Sequence, residues 1–259
     1  MMRKIRIFIF FISLAIIAEN KIYSADNNII KVAFYENFAP YSFKEGSKTT
    51  GIFVDVVNLV LHDMMGYKVE INSFPWGRAQ DLVRKGEFNS HITAKTSERE
   101  KVLLFQTIEI ESSNVALVYS KESKKINEFI KISSKQELNN FKMVGYIGDG
   151  WAKEQFNDDK DVKFYRTANL IDVLKLVNDN SADLYVSSNE KSDKYIAKKF
   201  AYKNLQFREI TFLKPASVKF YFCISKNYPN ANKIIMNFDK NFLIAKKSGK
   251  MAAIIKKYL

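Results

Sequence analysis

Arg99 is the residue of this chain best placed to do chemistry. Residues 86–100, GEFNSHITAKTSERE, read as a strand that runs directly into the first turn of a helix, and the guanidinium sits at that junction. A planar cation in such a place grips a small anion through paired hydrogen bonds, which lysine does not match. Other chemistries are poorly provided for. His62 and His91 are the only histidines and lack metal-ligand spacing, while Cys223, the only cysteine, is flanked by Phe222 and Ile224 as in a buried strand. No disulfide, metal centre, cofactor or base-activated nucleophile is implied.

The elements that must position Arg99 alternate between apolar runs of period 2 and period 3.6, the pattern of β-α-β units and parallel sheets. A first set predicts strands over 29–35, 68–74 and 88–93, with helices over 53–65 and 78–85 and another from Ser97. A second set predicts strands over 115–119, 143–147, 162–165 and 183–187, with helices near Trp151 and over 168–179 and 190–199; Ser134 and Glu137 form a capping box for a further short helix. The chain then runs as strands over 207–213 and 217–225 and closes with two helices, one after Pro229 and one from Gly249. No Gly/Ser-rich or Pro-rich linker divides the two sets. Strand-like segments near 111–115 and 216–220 would therefore connect them as a stiff two-stranded hinge.

Ligands of open α/β sheets bind outside the carboxyl ends of the strands, in the loops that lead into helices. Here those loops are 35–41, 74–78, 93–99, 148–151 and 187–190. If the two sets face each other, the loops make one cleft lined by Tyr35, Phe38, Trp76 and Trp151, with Arg99 as its strongest cation.

The N-terminus carries Arg3, Lys4 and Arg6 before an apolar run over 7–18 interrupted only by Ser13. About a dozen apolar residues suit the core of a secretory leader and fall short of the roughly 18 needed to span a bilayer. Cleavage is expected after Ala25, with Ala18 as the alternative site, so residues 1–25 are read as a signal peptide and the mature protein as secreted. The net charge is +13, and the leader takes four cations and one anion with it, leaving +10. The lysines are spread over nearly every element instead of forming a tract, which argues for a solvated surface and against a nucleic-acid footprint.

Several motifs follow one another in the order seen in bacterial extracellular solute-binding proteins of family 3, the periplasmic receptors for polar amino acids and related solutes. They are NFAPYSF at 37–43, GIFVD at 51–55, FPW at 74–76, the stretch 86–99 and KMAAIIKKY at 250–258. The resemblance covers essentially the whole mature chain. It implies a type II periplasmic-binding-protein fold: two α/β lobes with parallel-rich sheets, joined by a two-stranded hinge. Residues 26–112 with 220–259 would form one lobe and 113–219 the other. It also implies a monomer that closes around a small polar solute and presents it to an inner-membrane ABC permease.

Carried over to this chain, the resemblance makes Phe38 the aromatic wall against the ligand and Arg99 the partner of a ligand carboxylate. Tyr35, Trp76, Thr93, Trp151 and Ser188 complete the expected site. Departures accompany it. Ser188 stands where an acid commonly holds the ligand ammonium, Tyr35 where a first-lobe acid is common, and Ala94 where a hydroxyl is common; the second-lobe turn at 148–151 lacks its usual threonines. Glu190 would substitute for the missing acid if its loop were shifted; otherwise the solute is an organic acid or another compound without an α-amino group. Two alternatives share the scaffold. One is a periplasmic dehydratase of prephenate-like acids, with Glu36 or Glu190 as general acid; the other is a secreted ligand sensor.

Overall fold

The computed structural model describes residues 29–156 and 164–259. The expected leader and the first two residues of the strand expected at 162–165 lie outside them. The described chain is built of strands β1 (Ile29–Tyr35), β2 (Asn37–Phe38), β3 (Ser42–Glu45), β4 (Lys48–Thr50), β5 (Lys68–Phe74), β6 (Ser90–Ala94), β7 (Leu103–Phe105), β8 (Glu111–Asn114), β9 (Ala116–Ser120), β10 (Met143–Tyr146), β11 (Phe164–Thr167), β12 (Leu184–Ser187), β13 (Leu205–Glu209) and β14 (Ser217–Ser225). Its helices are α1 (Ile52–Val57), α2 (Trp76–Arg84), α3 (Ser97–Val102), α4 (Ile126–Phe129), α5 (Gly150–Phe156), α6 (Leu170–Asn178), α7 (Glu190–Lys199), α8 (Ala231–Lys247) and α9 (Lys250–Tyr258). Among the described residues no helix is long and apolar enough to cross a membrane.

One sheet runs β5-β1-β6-β14-β7, with β8 also paired to β14. β1 lies between two parallel neighbours, and its sequence IIKVAFY is apolar almost throughout because both faces are covered. The β1–β5 register sets Tyr35 beside Phe74, so the loops after both strands leave the sheet side by side. The second sheet runs β11-β10-β12-β9-β13, parallel across β11, β10 and β12. Its β10 and β12 likewise direct the turns at Gly148 and Ser188 to one end.

Helices pack on these sheets through apolar faces at helical spacing. In α6, Leu170, Val173, Leu174 and Val177 are buried at i, i+3, i+4 and i+7, and the Asn169 side chain caps the helix by accepting the Asp172 N–H. The N-caps of α3 and α7 work in the same way, through Thr96 and Asn189. Each helix therefore begins at a defined residue immediately after its strand, which fixes where Arg99 and Glu190 project.

Two strand-like passages join the sheets. β8 pairs antiparallel with the start of β14, and beyond it Val115 N–H donates to the Ala216 carbonyl (2.9 Å) and Ile210 N–H to the Val115 carbonyl (3.0 Å). At the far end of the chain α9 ties back to α1: the Tyr258 hydroxyl donates to Asp55 (3.0 Å), which Lys257 also pairs (2.8 Å).

Some expectations change in detail. The helix expected over 53–65 starts one residue earlier and winds as a π-helix over Asn58–Met64. The capping box at Ser134 is half made: Glu137 accepts the N–H groups of Ser133 (2.7 Å) and Ser134 (3.3 Å), and the chain continues as a 3₁₀ turn over Gln136–Asn140. A small antiparallel sheet, β2-β3-β4, has no counterpart among the expected elements.

Candidate functional site

The carboxyl ends of β1, β5 and β6 face those of β10 and β12, and between them lies a cavity of 40 Å³. Tyr35, Phe38, Trp76, Thr93 and Arg99 line it from the first sheet, Trp151 and Ser188 from the second. All seven expected residues thus meet at one place. Sequence reasoning did not single out Tyr146, Asp149 or Phe220, which line it too.

Arg99 is buried, with 8% of its surface exposed. Its Nε and Nη2 both donate to the Gln80 amide oxygen (3.1 and 2.8 Å), Nη1 donates to the Ala94 carbonyl (3.1 Å), and Nη2 reaches the Gly148 carbonyl (3.4 Å). The guanidinium also lies over the Trp76 ring, 5.5 Å from its centroid. Gln80 completes the bridge by donating its own amide N–H to the Gly148 carbonyl (2.9 Å). Arg99 is therefore held from both sides of the cleft. Burial lowers its proton affinity and the charge of Asp149 opposes that, but a guanidinium remains charged at any physiological pH.

Two glycines make this approach possible. A Cβ on Gly150 would sit 2.9 Å from Arg99 Nη2, and Gly148, at φ +89°, would place one 2.9 Å from the Gly77 nitrogen. Both positions require the missing side chain.

Aromatic rings form most of the wall. Tyr35 stacks on Tyr146 (5.8 Å between centroids) and on Phe38 (6.1 Å), with Trp76 tilted against it at 6.1 Å. Its hydroxyl accepts the Leu170 N–H at the start of α6 (2.9 Å), a bond from the first sheet's loop to the second sheet's helix. Ser192 Oγ donates across the same gap to the Ala39 carbonyl (2.7 Å), and Lys153 pairs with Glu98 (3.1 Å). The lobes meet directly, in a closed arrangement.

Acidic groups come from the second sheet. Asp149 accepts the Ala152 N–H on Oδ1 (3.0 Å), capping α5, whereas its Oδ2 is buried with no partner. Burial raises its pKa, against the opposing effects of the Ala152 N–H and Arg99. Asp193, on α7, is 1% exposed and neither of its oxygens has a hydrogen-bond partner. Its pKa is pushed up to about 8, chiefly by burial; the nearby Ser187 hydroxyl opposes this, and Asp149 and Glu190 add to it. Glu36 and Glu190, the acids expected from sequence, pair instead with Lys44 (2.9 Å) and Lys194 (2.6 Å), and neither lines the cavity. Behind Arg99, His91 is buried with both ring nitrogens unpartnered, and burial followed by the Arg99 charge pushes its pKa down to about 3, so it is neutral. Cys223 is a buried strand thiol donating to the His91 carbonyl (3.2 Å). No group of metal-ligating side chains occurs among the described residues.

Two α/β lobes, a paired crossover and an aromatic cleft with a buried arginine at the strand ends define a bilobed ligand-binding protein with the type II periplasmic-binding-protein fold. The chain belongs to the bacterial extracellular solute-binding proteins, family 3, whose family model matches residues 30–259. Solved structures of similar fold include the substrate-binding protein of an amino acid ABC transporter, with 18% identity and a TM-score of 0.73 over 89% of this chain and 99% of that one. A histidine kinase sensor domain with similarity to periplasmic binding proteins matches at 18% identity and a TM-score of 0.74, covering 90% of this chain and 96% of its own. AbpA from Streptococcus pneumoniae bound to L-arginine matches at 15% identity and 0.72, covering 89% and 94%. No curated protein matches by sequence.

Proposed function

We propose that this protein is a periplasmic receptor that captures a small polar, carboxylate-bearing solute between its lobes and delivers it to an inner-membrane ABC permease. The observation that carries the reading is Arg99, a buried cation held at the ends of two facing sheets within an aromatic cavity. Its Nε and Nη2 form a fork that both donate to Gln80 Oε1. A solute carboxylate takes the place of that amide oxygen and gives the fork a charged acceptor in exchange for a neutral one. The receptor works as a monomer exported by cleavage of residues 1–25. The β8–β14 ribbon is the hinge between a lobe of residues 26–112 with 220–259 and a lobe of residues 113–219. Contacts made from both lobes favour the closed state only to the extent that the solute binds it better than the open one.

The dehydratase alternative finds less support, because Glu36 and Glu190 are engaged by lysines away from the cavity. A sensor would use the same cleft and differ in its partner. The test is thermal unfolding of the purified protein against a panel of amino acids and organic acids. A true solute at a hundredfold excess over its Kd adds about 2.7 kcal/mol of stability, and a panel that leaves the melting temperature unmoved removes the proposal.

A further inference from the structure

Helix α8 turns two unlike faces in opposite directions. Ile234, Ile235, Phe238 and Phe242 are buried on one of them, and Phe238 stacks on Phe222 of β14 with 4.3 Å between ring centroids, so this face is the one seated on the first sheet. At roughly 100° per residue the opposite face carries Lys233, Met236, Lys240, Leu243, Ile244 and Lys247, all of them exposed. A helix resting on a core ordinarily turns charged and polar residues outward. Half of this stripe is aliphatic instead: Met236 is 71% exposed, Ile244 48% and Leu243 41%. The other half is lysine, and none of the three forms an ion pair among the described residues. The one acid of the helix, Asp239, does not offset them, because Thr107 donates its N–H and its hydroxyl to Oδ2 (3.0 and 2.8 Å).

We propose that the outward stripe of α8 is a docking face for an anionic lipid surface. From Lys233 to Lys247 it runs about 21 Å along the helix. Laid on a membrane, Met236, Leu243 and Ile244 enter the boundary between headgroups and acyl chains, while the lysine stems lie along that boundary and lift their ammonium groups to the phosphates. Lysine suits a fluid array of phosphates, because it is a point charge on a flexible stem and demands no fixed partner geometry. A protein partner fits the stripe less well. Protein interfaces favour aromatic residues and arginine and are depleted in lysine, whereas these six positions hold three lysines and neither an arginine nor an aromatic ring. No residue of α8 lines the cleft, so a solute can enter and leave while the face is occupied. Docking through α8 thus goes beyond the receptor reading and holds for any solute.

The test is co-sedimentation of the purified mature protein with vesicles of phosphatidylcholine alone and of phosphatidylcholine carrying phosphatidylglycerol. Binding to the anionic vesicles is expected to be at least about tenfold tighter, since each lysine near such a surface contributes roughly fivefold. On the same basis the triple variant Lys233→Gln, Lys240→Gln, Lys247→Gln should lose on the order of a hundredfold. The triple variant Met236→Ser, Leu243→Ser, Ile244→Ser keeps every charge and should still lose about tenfold, through the apolar contact alone. Lys121, Lys124 and Lys131 are exposed on the second lobe, and their replacement by Gln removes the same charge from elsewhere. That control should bind within about threefold of wild type, because surface charges act within a screening length of roughly 10 Å. All these positions are exposed, and a wild-type melting temperature confirms that each variant is folded. Equal binding to the two kinds of vesicle, an aliphatic variant that binds like wild type, or an equal loss in the second-lobe control overturns the proposal. So does a dimer in solution that the aliphatic variant dissolves, which would make a second copy the occupant. None of these outcomes bears on the receptor reading, which is tested by solutes and not by lipids.

Discussion

Replacing Asp193 by asparagine should change how stability depends on pH. The Asp193 carboxyl is buried, lacks a hydrogen bond and has its pKa pushed up to about 8, first by burial and then by the charges of Asp149 and Glu190. An unfolded aspartate titrates near 3.9. The folded state therefore keeps a proton that the unfolded chain releases, and an acid shifted upward contributes stability that is complete below about pH 4 and is lost as pH rises through 8. Each pH unit in that window costs about 1.4 kcal/mol. From pH 4 to pH 7 the loss is on the order of 4 kcal/mol, a large part of the stability of a typical domain. Asparagine has no proton to release, so Asp193→Asn should show a flatter profile between pH 4 and 8. A buried amide without partners adds its own penalty of roughly 1–3 kcal/mol, but that offset is independent of pH. Urea unfolding of both proteins at half-unit steps from pH 4.5 to 9 separates the two effects. Parallel profiles would show that Asp193 is ionised in the fold and paired, refuting the reasoning.

Three other substitutions probe the cleft and its support. Arg99→Ala should weaken a carboxylate solute at least tenfold in calorimetric titration, since a hydrogen bond to a charged group contributes about 1.5–3 kcal/mol; unchanged affinity would remove Arg99 from the site. Tyr35→Phe deletes the bond from the Leu170 N–H, which crosses the closed cleft. The cost, about 1 kcal/mol, should appear as a several-fold loss of affinity with little change in the stability of the unliganded protein, and equal affinities would count against the bond as a closure contact. Gly51→Ala should destabilise the fold by at least ~2 kcal/mol, because Gly51 holds φ at +127° and a Cβ there would meet the Tyr41 carbonyl oxygen at 2.4 Å. Chemical denaturation checks this, and a wild-type midpoint would contradict it.

The strands over 29–35, 68–74 and 217–225 and the helix over 190–199 were legible to the residue. Strands 68–74 and 217–225 alternate apolar and polar residues, 29–35 is apolar almost throughout, and the helix opens at a clear cap, Asn189, whose side chain accepts the Ser192 N–H. The small sheet β2-β3-β4 escaped because strands of two to four residues are too short to show a period. The two extra residues of helix at Trp76 and Gly77 escaped for a different reason. Pro75 permits a helix to start directly after it, whereas the apolar pattern becomes recognisable only at Ala79 and Leu82.

At the site, the legible residues are those in loops at strand ends. Tyr35, Trp76, Arg99 and Trp151 could be read there because a parallel sheet dictates that its ligands lie beyond its carboxyl edge. Gln80, on α2, looks in sequence like one more polar position on a helix, and Asp193 looks like part of the solvated face of EKSDKYIAKK. Their real environments arise when one lobe covers the other: Gln80 joins Arg99 to Gly148, and Ser192, beside Asp193, donates to Ala39 of the opposite lobe. Asp149 is the instructive case. Between two glycines it reads as a turn residue and an N-cap, and it is indeed the cap of α5 through Oδ1. Only the packing of one lobe on the other buries Oδ2 without a hydrogen-bond partner, in the cavity it shares with an arginine whose own bonds go to Gln80. Local sequence specifies the cap; the surroundings of the remaining oxygen are decided by the closing of the lobes.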